Sequence, residues 1–407
     1  MKKAETMIEE MEKHKESEDQ GTPSKANKGW KEKIKKWFNP NLFVTLIVTL
    51  VATLLADIAY ECWQKKTVYK TFYSFPYITF EADNTQVFRL SEEIPNLEYS
   101  VGEKSWEKLG TQNIVFGGSR GKLLLRGTNS WGTSWYKNNH HGLVGEFWAT
   151  VSFATDAQVI CSGDIRTLVD YTNYNTVSTS EARFNRLFEN CTQLVVAPEL
   201  LATDLAEKCY EHMFSGCTSL KTAPDLPADT LPYGCYEFMF SGCTSLERAP
   251  ILPAKSLADW CYWGMFCDCI SLERAPELPA EQLANGCYAH MFSDCSSLER
   301  APYILPALEL ADNCYWGMFS NCTSLERACI LPARNLTYGC YSEMFSGCTS
   351  LSEITMFATD ISVSWCLKDW LKNTAPCGTL YKNINARWDE DGIAPIGWKI
   401  KSATGTN

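Results

Sequence analysis

The sequence predicts an α/β solenoid of short parallel strands and short helices, preceded by a small β-rich sandwich-like module and one transmembrane helix. Three observations lead there. Leu194, Leu220, Leu246, Leu272, Leu298, Leu325 and Leu351 mark seven copies of one motif, at a period of 26 residues with a single copy of 27. Fixed self-similarity of this length is the signature of stacked units. Upstream lie short runs rich in Tyr, Phe, Val and Thr, and before them an uncharged apolar run. A chain of 407 residues exceeds one ordinary core.

The N-terminal 1–40 segment reads as a Lys/Glu-rich tail, and 41–60 as an uncleaved signal-anchor helix. Leu42 to Ala56 carries no charge, and continuing to Tyr60 adds only Asp57. That length approaches the roughly 20 residues that cross a bilayer. Lys25, Lys28, Lys31, Lys33, Lys35 and Lys36 precede the run, whereas Lys65, Lys66 and Lys70 follow it. The larger basic cluster stays cytoplasmic, so the sequence predicts a single-pass protein with its C-terminal bulk exported. Residues 61–72 form the linker.

Residues 73–161 read as the β-rich module. "YITFEA", "VFRL", "LEYSV", "KLLLRGT" and "EFWATVSFAT" are strand-like runs between Gly, Asn and Ser clusters. His140 and His141 fall in a loop with no nearby spacing that completes a metal site.

Residues 162–366 form the solenoid. Within a unit, Cys209, Met213, Cys217 and Leu220 recur at spacings of four, four and three, which predicts the apolar face of a short helix. Position 216 and its equivalents are Asn190, Gly216, Gly242, Asp268, Asp294, Asn321 and Gly347. Only residues that tolerate left-handed backbone appear, so the helix is expected to end there. "TSLERAP" then reads as a short strand closed by Pro. Residues 367–407 make a C-terminal cap and tail.

Cysteine usage is high, at 19. Two internal ladders account for most: Cys209, Cys235, Cys261, Cys287, Cys314 and Cys340, and Cys217, Cys243, Cys269, Cys295, Cys322 and Cys348. Eight residues of helix would separate ladder partners by about 12 Å, too far for a disulfide, so buried thiols are expected. Cys366 continues the first ladder and could pair with Cys377. Cys267 and Cys269 form a C-x-C that lacks two further zinc ligands.

Positions that drift between copies are the ligand-binding candidates: His212, Phe238, Trp263, His290 and Trp316. Aromatic side chains of this kind anchor protein or sugar partners, or else cover the solenoid edge. Glu247-Arg248, Glu273-Arg274, Glu299-Arg300 and Glu326-Arg327 form another column, in which each Glu is expected to reach an Arg of its own or the next turn.

The motif "CYxxMFSGCTSLxxAPxLPA" resembles the BspA-like leucine-rich repeats of bacterial surface proteins, from about Phe184 to Cys366. "LEYSVGEKSWEKLG" upstream and "GTLYKNINARWDEDGIAPIGWKI" downstream resemble the flanking segments of that family. The resemblance implies a cell-envelope protein with non-catalytic binding or adhesion, no cofactor and no single named ligand. The anchor with its long tail departs from the secreted or lipoprotein forms of many relatives.

Net charge is −11, and Phe184 to Met356 holds 21 acidic against 9 basic residues. Phosphate recognition needs the opposite balance, so nucleic acid is not an expected partner. The expected function is therefore protein or glycan binding by an exported leucine-rich repeat domain. The alternatives are an envelope scaffold that links a cytoplasmic partner to the repeats, and a hydrolase with its site in the β-rich module. Against an enzyme, the chain has five His and no G-x-S-x-G, H-E-x-x-H or phosphate-cradling loop. Oligomeric state is left open by the sequence.

Overall fold

The computed structural model describes residues 75–138, 144–389 and 392–403. The expected span at 41–60 and the histidine pair His140-His141 lie outside them. No described helix is long and apolar enough to cross a membrane. The single-pass placement, and the envelope localisation built on it, are withdrawn.

The first strands are β1 (Ile78–Glu81), β2 (Gln86–Leu90), β3 (Leu97–Val101), β4 (Glu107–Lys108), β5 (Ile114–Phe116) and β6 (Leu123–Gly127). There follow β7 (Ser134–Asn138), β8 (Val144–Trp148), β9 (Val151–Phe153), β10 (Val159–Ser162) and β11 (Leu194–Val196). One sheet has the order β11-β10-β1-β6-β3-β4, a second is β5-β2-β9, and β7-β8 is a hairpin. Alternation explains the pairing of faces: β2 reads buried, half-buried, buried, exposed, buried. Phe80 from the first sheet meets Phe88 and Phe153 of the second at ring distances of 5.5 and 5.9 Å.

All strand pairs here are antiparallel except β10–β11, which is parallel. That exception joins module to repeats, because β11 belongs to the first repeat. Phe188 of the same repeat also packs on Phe80, at 6.2 Å. One apolar core runs without a break from Ile78 to Leu380.

The expected α/β architecture is corrected in the repeats: the described residues contain no α-helix. The segment read as helical is a run of tight turns. In the coil around Phe238, the N–H groups of Glu237, Met239, Ser241 and Cys243 bond three residues back, at 3.0–3.2 Å. The intervening N–H groups of Tyr236, Phe238, Phe240 and Gly242 instead reach Cys261, Trp263, Met265 and Cys267 of the next coil, at 2.8–3.0 Å. An α-helix needs every N–H for its own i−4 carbonyl. Half of these are committed to a neighbour.

Backbone dihedrals give the same answer. Gly234, Phe238 and Gly242 have φ of 56°, 49° and 71°, so every fourth residue is left-handed and no helix can propagate through it. Core side chains come in adjacent pairs, with Glu237 buried beside them. Cys235-Tyr236 and Met239-Phe240 point to the core, and Phe238 and Ser241-Gly242 are only partly buried. The seven residues from Asn190 to Gly347 named above all have positive φ, of 60–77°. They close a tight turn rather than a helix.

Inside, the invariant residues stack. The Phe rings from Phe188 to Phe345 are 5.5–5.7 Å apart and within 8° of parallel. The Tyr rings from Tyr210 to Tyr341 are 5.5–6.0 Å apart. Offset stacking at such distances adds to area burial. The second thiol ladder explains why cysteine is used there. Cys217, Cys243, Cys269, Cys295, Cys322 and Cys348 each donate their S–H to a Phe carbonyl of the preceding coil, at 3.0–3.2 Å. A small apolar residue with a weak donor meets both demands. Cys191 begins the same ladder by donating to Val151 O, at 3.0 Å.

The strands of the coils and cap are β12 (Thr230–Leu231), β13 (Ser256–Leu257), β14 (Arg327–Leu331), β15 (Glu353–Met356), β16 (Thr379–Asn383) and β17 (Lys399–Ala403). The pair β12–β13 and the sheet β14-β15-β16-β17 are parallel throughout. Single bridges such as Val196↔Thr222, Arg274↔Arg300 and Arg300↔Arg327 carry the strand-side ladder from β11 to β14, whereas β12–β13 belongs to a second ladder with Gln282↔Glu309 and Asn335↔Asp360. The coil pattern runs one turn past the seventh repeat, with positive φ at Trp365, Asp369 and Asn373. Three indole N–H groups pin the end: Trp370 to Ile393 O, Trp388 to Ala358 O and Trp398 to Ala375 O, at 2.7–3.0 Å.

Candidate functional site

Two columns of left-handed residues run along one edge of the coils, and they organise the candidate residues. One column is Lys208, Gly234, Trp260, Gly286, Asn313, Gly339 and Trp365. The other is Arg186, His212, Phe238, Gly264, His290, Gly317, Glu343 and Asp369. Left-handed backbone costs a non-glycine residue roughly 1–3 kcal/mol, so the bulky members need a compensating contact. They find it on the next coil. A Cβ at Gly264 would overlap the Phe238 ring, one at Gly286 the Trp260 ring, and one at Gly317 the His290 ring. Phe238, Trp260 and His290 each lie across a glycine one turn along, and His212 lies across Phe238.

The structure brings three of the candidates into one cluster. The His212 ring stacks on Phe238 at 5.1 Å, Phe238 contacts Trp263 at 5.0 Å, and Trp263 contacts Trp260 at 5.1 Å. His290 and Trp316 form a separate edge-to-face pair at 4.6 Å. All are partly buried, each showing part of a ring to solvent. Burial pushes the imidazoles of His212 and His290 below their ordinary range, which favours the neutral ring. His212 Nδ1 and Trp263 Nε1 are buried polar atoms with no hydrogen-bond partner among the described residues.

Beside His212 sits a charged group that sequence reading missed. Glu211 and Glu237 occupy the same place in adjacent coils and are 9% and 8% exposed. Lys208 Nζ binds Glu211 Oε1 at 2.9 Å. Burial, and then the charge of Glu211, push the Glu237 carboxyl up to about 7, against the opposing pull of Lys208 and Arg186. Glu237 can therefore hold a proton near neutral pH. The stacking of residues 26 apart creates it, and each Glu alone looks like a surface acid.

Further candidates lie along the first column and in the cap. Tyr338 and Trp365 are 46% and 53% exposed and 6.4 Å apart. Lys368 Nζ stands 3.6 Å over the Trp365 ring. A shallow groove of about 330 Å³ beside them is lined by Ile361, Val363, Leu367 and Ile393. The alternation of large residue and glycine down the column is the signal that would have found Trp260 and Trp365.

The twelve ladder cysteines are buried free thiols. Cys366 and Cys377 are not joined: Cys366 is buried, with Sγ 3.4 Å from Ile361 O, and Cys377 is exposed. Cys267 gains neighbours that its C-x-C spacing did not suggest. Its thiol and the carboxylates of Asp268 and Asp294 lie within 4.8 Å of one another. Asp294 already accepts from Ser293 Oγ and Asn321 Nδ2, at 2.7 and 2.9 Å. Burial and Asp268 push the Cys267 thiol up to about 12.

No family model, curated protein or solved structure matches the chain.

Proposed function

We propose that this chain is a non-catalytic binding protein of the BspA-like leucine-rich repeat kind, using the aromatic edge of its coils to hold a protein or glycan partner. The observation that carries the reading is the ring cluster of His212, Phe238, Trp260 and Trp263. His212, Phe238 and Trp260 stand on backbone positions that disfavour bulky residues, and each is held over the next coil. Rigid aromatic anchors lose little conformational entropy on binding, which is what recognition asks of them.

The test is an array of proteins and glycans probed with the full chain, followed by Trp263→Ala and Trp316→Ala. Loss of a central aromatic anchor is expected to weaken capture by about 2 kcal/mol or more, with the melting temperature held close to that of the parent. Capture that survives both substitutions unchanged places the contact elsewhere and removes this reading.

A further inference from the structure

We propose that the strand side of the coils is a self-docking surface that pairs two copies of this chain in parallel, coil against like coil. In three of its four coils the expected Glu-to-Arg ladder is not formed. Among the described residues, none of Glu273, Arg274, Glu299, Arg300, Glu326 and Arg327 lies within ion-pair distance of an opposite charge. All six are exposed.

Their positions are fixed by the parallel ladder. Arg274↔Arg300 and Arg300↔Arg327 are bridge partners, and Glu299 N bonds Glu273 O at 3.0 Å. Over the coils of Leu272, Leu298 and Leu325 the surface therefore holds one acidic row and one basic row, adjacent, each repeating about every 4.8 Å, and Glu353 ends the basic row as the register partner of Arg327. Like charges at that pitch repel along each row. Ile251 and Tyr303, three residues beyond Arg248 and Arg300, add apolar area at 52% and 76% exposure.

Charge complementarity selects the occupant and the symmetry. A face with both signs in equal number matches its own copy at the same pitch. A two-fold axis along the solenoid lays the Glu row of one protomer on the Arg row of its partner. A two-fold axis across the coils lays Glu on Glu and Arg on Arg. Only the first is attractive, and it produces a closed, isologous pair.

Sedimentation equilibrium of the full chain at low salt tests this, with two variants. One carries Arg274→Glu, Arg300→Glu and Arg327→Glu; the other carries Glu273→Arg, Glu299→Arg and Glu326→Arg. The parent is expected to be a dimer. Each variant alone is expected to weaken the dimer more than about 100-fold, since facing like charges cost several kcal/mol. A 1:1 mixture is expected to restore it as a heterodimer. Where a variant does not fold, rising salt applied to the parent gives the reading, and dissociation is expected. A monomeric parent, a dimer indifferent to either reversal, a mixture that stays monomeric, or a salt-insensitive dimer overturns the proposal.

Discussion

Gly264 illustrates how one residue is dictated by its neighbour on the next coil. Its φ is +57°, and any Cβ there would enter the Phe238 ring. Gly264→Ala is expected to destabilise the fold by about 1–3 kcal/mol from backbone strain alone, with the ring clash added. The double variant with Phe238→Gly is expected to recover the clash but not the strain, so a double-mutant cycle by denaturant titration separates the two. Glu237 makes the matching electrostatic point. Its carboxyl is raised to about 7 from an ordinary 4.5, so between those values the folded chain binds more protons than the unfolded one. Its contribution is fully present below pH 4.5 and is lost as pH rises through 7. Melting temperatures of the parent are expected to fall across that window, and Glu237→Gln is expected to flatten the slope. An unchanged slope would mean that the proton is not held there.

At the scale of the element, the coil turns on a period of four and not 3.6. Over the eight residues from Cys209 to Cys217 the two periods differ by less than half a turn's face, so spacing alone could not separate them. The turn at position 216 was legible because every copy there uses Gly, Asn or Asp. The two other left-handed columns were hidden by Lys208, His212, Phe238, Trp260 and His290, residue types that give no such signal. The inward set was legible from repetition, whereas the Glu211–Glu237 pair and the tryptophan pins of the cap required coil to be laid on coil. The aromatic candidates were read as drifting positions; their partners were not, because contacts such as Phe238 with Trp263 cross between units. Stacking also predicts where truncation hurts. Phe266 lies between Phe240 and Phe292, at 5.6 Å from each, and is fully buried. Phe266→Ala is expected to cost about 3–5 kcal/mol in chemical unfolding, through a cavity open to both neighbouring coils.

For the whole molecule, the unbroken core is the governing feature. It joins the β-rich module, the coils and the cap. The ladder thiols, raised well out of the reactive range by burial, sit along its full length. Mass-spectrometric mapping with a thiol reagent is expected to label Cys377 at once. The ladder cysteines are expected to label together, at one denaturant midpoint, because no boundary in the core lets one part open first. Staggered labelling from one end would show the coils melting singly. The alternate bonding of N–H groups has a further consequence. In its backbone bonds each coil asks of its neighbours only what every other coil asks, so a whole repeat can be duplicated or deleted wherever the change still leaves each large left-handed side chain over a glycine. A stray insertion inside the four-residue turns would derail every bond beyond it. The tolerated extra residue, in "APYILPA", falls outside those turns. The spacing of the amides thus admits change by whole repeats and resists it inside the turns.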